Sequence, residues 1–533
     1  MNSLKKYDVS IVGFGPSGAV LALLLARSGL SVHVIDKTQE IYDKPRAIAL
    51  DHEVMRTLQN LGLSDSLAEF IEPFTDSHYL GVEGQLIKIM STPAPPFAYG
   101  HIPALVFNQP SFEKVLRQAI SESPNIEVSL NCELKTLIQN ENEVSMEVLT
   151  HQVGEQPMHQ TVVSQYLVGC DGASSTVRKS LQIELEDLGF NEPWLVVDLL
   201  VEASALSKLP QTSMQYCDPK RPITMVIGPK NHRRFEIALS HGETPDDFKD
   251  ESRIWDLLSQ WLEPGQAQLW RHACYEFHAL VAERWRVGRI FIAGDAAHQQ
   301  PPFLGQGMCQ GIRDVVNLSW KLKQAIEHPP CDQILNSYET ERKAHVKALT
   351  AKIIEIGKIV GQRDEQKARA RDLHLLHEAK GEITPTARQD VQPSLNAGCF
   401  STHTHPKRGT LFPQPLIRLN KSEQRMDDNL GIGWRVFFNL NPSPDTSNQD
   451  ANQRSQTGLS NNAMLTSMMN DLGMHWFDFE IPEHDPQGLL RTWFEQAQAT
   501  WVIVRPDHYV YGAGREQLEL AEELVKLKQL FGL

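Results

Sequence analysis

Tyr7 to Asp36 reads YDVSIVGFGPSGAVLALLLARSGLSVHVID. Tyr7–Val12 has the pattern of a short buried strand, Ser17–Ser28 is a helix rich in Leu and Ala, and Ser31–Ile35 alternates into a second strand. Strand, helix and strand in that order make parallel neighbours, which predicts an α/β fold. The turn carries Gly13, Gly15 and Gly18 in GxGxxG spacing, with Pro16 and Ser17 between them. Glycines there permit a tight turn and close approach of a pyrophosphate, and the helix N-terminus adds unpaired N–H groups and a favourable dipole. Asp36, followed by Lys37, ends the second strand, where its carboxylate can accept from the ribose hydroxyls of an adenosine. This pattern alone does not separate NAD from FAD.

Two later stretches bear on that choice. Leu167–Leu181, LVGCDGASSTVRKSL, contains Asp171, Gly172, Ser174 and Arg178. Gly288–Gly311 reads GRIFIAGDAAHQQPPFLGQGMCQG. It opens as a buried strand, and Gly294–Asp295 then sets a carboxylate at the strand tip. A carboxylate so placed either caps a helix or accepts from a polyol; FAD has such a polyol in its ribityl chain and NAD has none. Gly305 and Gly307 let a second helix N-terminus approach the flavin ring, where its N–H groups would stabilise negative charge. Pro301 and Pro302 would hold that loop rigid beside the ring.

The chain has 533 residues, enough for two to four domains, and a net charge of −15. That charge argues against nucleic acid or an anionic membrane as a partner. The seven cysteines are odd in number and form no CxxC, which predicts a reducing, cytoplasmic setting with no disulfide framework and no zinc site. The first residues lack the apolar core of a signal peptide, and the longest apolar run, Ala19–Ala26, is too short to span a bilayer. His403 and His405 lack a nearby acidic ligand and read as a solvated loop; no metal is expected.

Further strand-like runs lie at Ile126–Leu130, Glu143–Leu149 and Tyr166–Cys170, and Trp194–Ile237 has the composition of a separate antiparallel sheet. Asp314–Ala325 and Ser337–Ile356 are predicted helices. Gly381–Gln392 is polar and reads as a linker. From about Lys407 a small α/β unit begins: strand Trp434–Leu440, helix Ala463–Leu472, strand Trp476–Ile481, helix Leu489–Gln498, strands Trp501–Val504 and His508–Tyr511, and a last helix from Glu516. Within it Asn441–Asn462, poor in apolar side chains, reads as a loop.

In this order and spacing the three motifs resemble those of the class A flavoprotein aromatic hydroxylases. KPRAIALDHEVMRTLQNLGL (Lys44–Leu63), YCDPKRP (Tyr216–Pro222), RRFEI (Arg233–Ile237) and WVIVRPDHYVYG (Trp501–Gly512) are similar to the subgroup of 3-(3-hydroxyphenyl)propionate, or 3-hydroxycinnamate, hydroxylases. The resemblance covers nearly the whole chain. It implies a Rossmann-like FAD-binding domain (1–75, 100–190 and 270–365), an inserted β-sheet substrate domain (76–99 and 191–269), a linker (366–405) and a C-terminal thioredoxin-like domain (406–533). The last lacks CxxC, so no redox role is expected of it.

The resemblance also implies roles. Gly13, Gly15 and Gly18 would hold the pyrophosphate of a non-covalent FAD and Asp36 its ribose. Arg46 and Gln109 would reach its middle, Asp295 its ribityl chain, and the backbone of Gly307 and Met308 its ring. Asp171 and Arg178 belong to a motif associated with FAD and the nicotinamide cofactor together. Cys309 departs from the pattern, since many relatives have Asn there. The implied reaction uses NADH or NADPH and dioxygen to hydroxylate a small phenolic acid ortho to its hydroxyl. 3-(3-Hydroxyphenyl)propionate or 3-hydroxycinnamate would give the 2,3-dihydroxy product. The alternatives are another aromatic, quinolone or resorcinol-like, and a flavin-bound sensor without turnover. Candidate catalytic residues are His298, Pro302 and Asp51, the last beside His52. Candidate substrate residues are Tyr216, Arg221 and Arg234. The expected assembly is a homodimer.

Overall fold

The computed structural model describes residues 5–151, 156–419, 422–439, 462–479 and 484–533. β1 (Lys6–Val12) lies inside an eight-stranded sheet, α1 (Pro16–Arg27) follows it, and β2 (Val32–Ile35) returns parallel beside it. On the other side of β1 lies Met158–Gly169, also parallel, and beyond it Ile290–Ile292, parallel again. Val9, Ile11, Val32, Val34, Val168 and Ile290 are all buried, as strands covered on both faces require.

The register decides where the chemistry sits. Val12 faces Ile35 on one side and Gly169 on the other, and Gly169 faces Ile292. The four strands therefore end in one row. Gly13, Asp36, Asp171 and Asp295, far apart in sequence, all follow at the same carboxyl edge, where open α/β sheets take their ligands.

A second sheet has nine strands. Its spine is Leu185–Val201, antiparallel to Ala267–Ala282 and to His232–Ala238. His298–Gln299 pairs with Leu280–Val281 and ties this sheet to the first. At the far edge Thr386–Ala387 adds parallel to Met90–Ser91, and Arg388–Val391 turns in a short 3-10 helix. The Gly381–Gln392 stretch is thus part of the sheet domain's rim rather than a free linker. An edge strand is held by backbone hydrogen bonds, so polar composition does not prevent it.

The C-terminal unit has a four-stranded sheet. Arg435–Asn439 runs parallel to His475–Phe479 and antiparallel to Trp501–Val504, which pairs with Val510–Gly514. Helices Ala463–Asp471, Leu489–Ala497 and Gln517–Phe531 accompany it. Of the loop read over Asn441–Asn462, all but Asn462 lies outside the described residues; Asn462 caps the helix that follows, its side chain accepting from Met464 N.

Buried charges lock this unit to the rest. Arg56, on α2 (His52–Asn60), donates to Asp427 Oδ2 at 2.7 Å and to the Phe412 carbonyl at 2.6 Å. Arg505 donates to Glu341 Oε2 at 2.8 Å, and Tyr509 Oη donates to Glu53 Oε1 at 2.8 Å. Such bridges bring little net stability but fix how two units seat. Cys399 joins through its backbone: its N–H donates to Glu341 Oε1 at 2.8 Å and its carbonyl accepts from Arg505 at 3.0 Å. Burial pushes its thiol up to about 12. Cys399→Ala is therefore expected to leave steady-state turnover within about two-fold of the unmodified protein, since a buried thiol of this kind is inert. A large loss of rate in a folded variant would give the thiol a role. Among the described residues no helix is long and apolar enough to cross a membrane.

Candidate active site

The glycine turn is shaped by its neighbours. Gly13 has φ of 106°, and a Cβ there would lie 2.3 Å from the Cys170 carbonyl oxygen. A Cβ on Gly18 would lie 2.1 Å from the Gly13 carbonyl, so α1 begins flush against the turn. Gly15 is different: a Cβ there meets no atom within 4 Å. Packing thus accounts for the outer two glycines, and the bare face at the middle one suits a close ligand. Asp36 braces the turn, accepting from Phe14 N at 2.7 Å and from Thr38 N at 2.7 Å. Gln109 holds the next segment, accepting from Arg46 N at 3.1 Å and Ala47 N at 2.5 Å. The Arg46 guanidinium lies over the Tyr42 ring at 5.5 Å.

Asp171 Oδ2 caps a short helix through Thr176 N at 2.7 Å, while its Oδ1 is buried with no partner among the described residues. Arg178 reaches across, donating to the carbonyls of Ala296 and Ala173, both at 2.9 Å. It joins the second motif to the third and acts as a staple. Asp295 makes no capping bond to its own turn, and its carboxylate has no hydrogen-bond partner among the described residues. Its side chain is exposed to solvent at the strand edge, and the surrounding protein raises its pKa. Its acceptor capacity is therefore open to a ligand, since the fold supplies no donor among the described residues. FAD fits these residues: its ribityl hydroxyls are the donors that Asp295 lacks.

His298 is fully enclosed, with Nε2 at 2.7 Å from Asp314 Oδ2 and its ring stacked on Trp285. Asp314 also accepts from Gly294 N at 3.0 Å and from Arg342 Nε at 2.8 Å. His298 thus supports the Gly294–Asp295 turn from behind and does not line the cavity beside it. Pro302 opens a turn closed by Gly305 N donating to its carbonyl at 2.7 Å, and α3 (Gly307–Glu327) starts directly after. Gly307 and Met308 fall in its first turn, where N–H groups have no intrahelical acceptor. Cys309 is buried against Ala49, so its side chain does not reach outward.

Beside this loop lies a cavity that opens to solvent. Leu304 and Gln306 of the loop form one wall; Ala49, Ala104, Leu349 and Val391 add apolar surface; Asp51, His52 and Arg388 bring charge and polarity. Asp51 caps α2 through Glu53 N and Val54 N at 3.1 Å each and pairs with Arg313. Burial opposes its charge, but Arg313 and the other donors win and hold its carboxyl below the usual range. His52 is kept neutral mainly by burial, against the pull of Asp51 and Glu53. Its ring touches Tyr99 edge-on, and its nitrogens have no hydrogen-bond partner among the described residues.

The substrate residues expected from the second sheet lie elsewhere. Arg221 forms a two-pronged pair with Glu243, both arms at 2.9 Å. Arg234 is spent on its cross-strand neighbour Asp198 at 2.7 Å and on the Arg46 carbonyl at 2.8 Å. Tyr216 accepts from Trp261 Nε1 at 3.2 Å in a separate apolar cluster. None of the three lines the cavity. Arg388 and Arg313, which border it or brace its wall, are not among the residues the sequence singles out; Arg388 lies in the polar Gly381–Gln392 stretch that reads as a linker.

Comparison with known proteins agrees with this geometry. The family described as FAD binding domain matches residues 6–352, and the HcaD C-terminal domain matches residues 409–529. A probable NADH-specific resorcinol 4-hydroxylase of Rhodococcus jostii is 34% identical, over 97% of this chain and 94% of that one. The 3-(3-hydroxy-phenyl)propionate/3-hydroxycinnamic acid hydroxylase of Escherichia coli is 30% identical, over 99% and 95%. The fold is also that of aklavinone-11 hydroxylase, solved with FAD and aklavinone, at a TM-score of 0.78, 20% identity and full coverage of both chains (100%).

Proposed function

We propose that this chain, which belongs to the FAD-binding-domain family and is a flavin-dependent aromatic monooxygenase, hydroxylates a phenolic acid ortho to its hydroxyl. The best-supported substrates are 3-(3-hydroxyphenyl)propionate and 3-hydroxycinnamate, with a catechol as product. The observation that carries this reading is the cavity: apolar walls suited to a ring, against the Pro302–Met308 loop, with a neutral histidine and a pinned carboxylate among them.

Bound FAD supplies acceptance of a hydride from NADH or NADPH and delivery of one oxygen atom from dioxygen. The chain does the rest. Gly13, Gly15 and Gly18 would receive the pyrophosphate, Asp36 and Lys37 the adenosine end, Arg46 and Gln109 the middle, Asp171, Gly294 and Asp295 the ribityl chain, and Gly305 to Met308 the ring. Leu304, Leu349 and Val391 exclude water and confine the ring of the substrate. His52 accepts the phenolic proton, which makes the ortho carbon electron-rich. The carboxylates of Asp51 and Glu53 favour the resulting imidazolium, while burial keeps the resting imidazole free to accept. The pairing of Asp51 with Arg313 makes it a fixed charge rather than a base.

The test is a panel of phenols assayed for NADH oxidation, with labelled dioxygen and product identification. His52→Asn is expected to keep its flavin and lose about 100-fold in product formation, the usual share of a positioned base. Phenols of lower pKa should recover part of that loss. Wild-type rates in His52→Asn would remove the base from this site. A resorcinol-like substrate is the second reading, favoured by the relative at 34% identity.

A further inference from the structure

Arg388 stands on the rim segment that closes the cavity. Its guanidinium lies 4.0 Å over the ring of Phe74, another cavity residue, and Nη2 donates to Ser77 Oγ. Nε is buried and has no partner, and the Gln389 Oε1 next to it is buried without one too. No carboxylate lies within 4.0 Å of the guanidinium among the described residues. The acidic groups that act on it, Tyr79 and Asp76, do so from farther away. This contrasts with Arg56, Arg234, Arg313, Arg342, Arg435 and Arg505, each paired with a carboxylate. A half-buried guanidinium without an anion is imperfectly satisfied, and an anion entering the cavity would pair with it.

We propose that Arg388 anchors the carboxylate of the substrate's side chain and so selects phenolic acids over neutral phenols. This rests on the phenolic-acid reading above and names the residue that enforces it. Phe74 and Ser77 fix the plane of the guanidinium, and Nη1, which no hydrogen bond engages among the described residues, remains for the anion. A tail held there sets the direction of the ring, and with it which carbon faces the flavin. A neutral dihydroxybenzene has nothing to offer this group.

Two measurements test it, both on the FAD-loaded full chain. The first needs no mutation: calorimetry of 3-phenylpropionate against 3-phenylpropionamide at pH 7. The acid should bind at least about ten-fold more tightly, as a charge-assisted bond implies; equal affinity overturns the proposal. In the second, Arg388→Gln should raise the ratio of KM for 3-(3-hydroxyphenyl)propionate to KM for resorcinol by at least about ten-fold. More of the NADH oxidised should then end as hydrogen peroxide, and Arg388→Lys should fall in between. If the unmodified protein hydroxylates the acid but the ratio does not move in Arg388→Gln, the anchor is wrong and the function stands. If the unmodified protein hydroxylates only neutral phenols and 3-phenylpropionate does not bind, the phenolic-acid reading fails and Arg388 falls with it.

Discussion

Asp295→Ala should purify almost colourless. Among the described residues the carboxylate has no donor, and it stands at the strand edge where the three motifs meet, where the ribityl hydroxyls of FAD would supply one. Losing a charged acceptor for the ribityl hydroxyls removes roughly 1.5–3 kcal/mol, or about 10- to 100-fold in FAD affinity. Hydroxylation should fall with the flavin and return in part when FAD is supplied in excess. The same change should not weaken the flavin-free protein. The surrounding protein already disfavours the charged form, and alanine removes a carboxylate that no described residue hydrogen-bonds. The measurements are flavin absorbance per chain, an FAD titration, and the melting temperature of the flavin-free protein. Full FAD occupancy in Asp295→Ala would refute the assignment. A collapse in flavin-free stability would recast Asp295 as structural.

Glu341→Ala should be the most destabilising single change among the ion pairs of the interlock. Glu341 stands on α4 (Asp332–Val360) and collects Arg505 at 2.8 Å, Lys321 at 3.0 Å and Asn317 at 2.7 Å. Removing it strands Lys321 and leaves Arg505 with Asp507 alone, a change worth about 3–5 kcal/mol. The carboxyl also carries an acid signature. Burial pushes it up, but Arg505 and Lys321 outweigh that and hold it at about 2 in the folded chain, against 4.5 ordinarily. Its contribution is thus complete above pH 4.5 and is lost as pH falls from there toward about 2, roughly 3 kcal/mol in all. Urea unfolding read by tryptophan fluorescence should report both, since Trp320 Nε1 donates into the same cluster at Asp507 Oδ2. Glu341→Ala should unfold at lower urea at pH 7 and lose less than the unmodified chain on acidification. A stability change under about 1 kcal/mol at pH 7 would mean that water reaches the cluster and screens it.

Much of the dinucleotide fold was legible because its signals are local. A glycine whose neighbours forbid a Cβ, as at Gly13, and an acid at a strand tip, as at Asp36 and Asp295, are visible without a partner in view. The strands of the C-terminal unit were legible for the same reason, since apolar runs such as Trp501–Val504 declare themselves. The cavity was harder, because its walls are non-local. Arg234 looked available until the strand pairing set Asp198 opposite it, a register no short stretch encodes. His298 looked like a base three residues from Asp295, but an Asp on the following helix had already engaged it. Arg388 sat in a run whose polarity read as linker, and only the pairing of Thr386–Ala387 with Met90–Ser91 carries it to the cavity. Composition marks where a charge is, not whether it is spent.

The row of strand ends also has a consequence for how the protein is made. β1 leaves the ribosome before its parallel neighbour Met158–Gly169, which is synthesised about 150 residues later, and Ile290–Ile292 comes later still. Through that interval the nascent chain carries an apolar strand with an unmatched edge, the kind of segment that associates with other chains. The flavin cradle cannot exist until the ribosome has passed Asp295. Cofactor loading is therefore a late event, and FAD that binds only the closed sheet draws the chain toward the folded state by mass action. Flavin supply in the cell then governs how much of this protein accumulates as well as how fast each copy works.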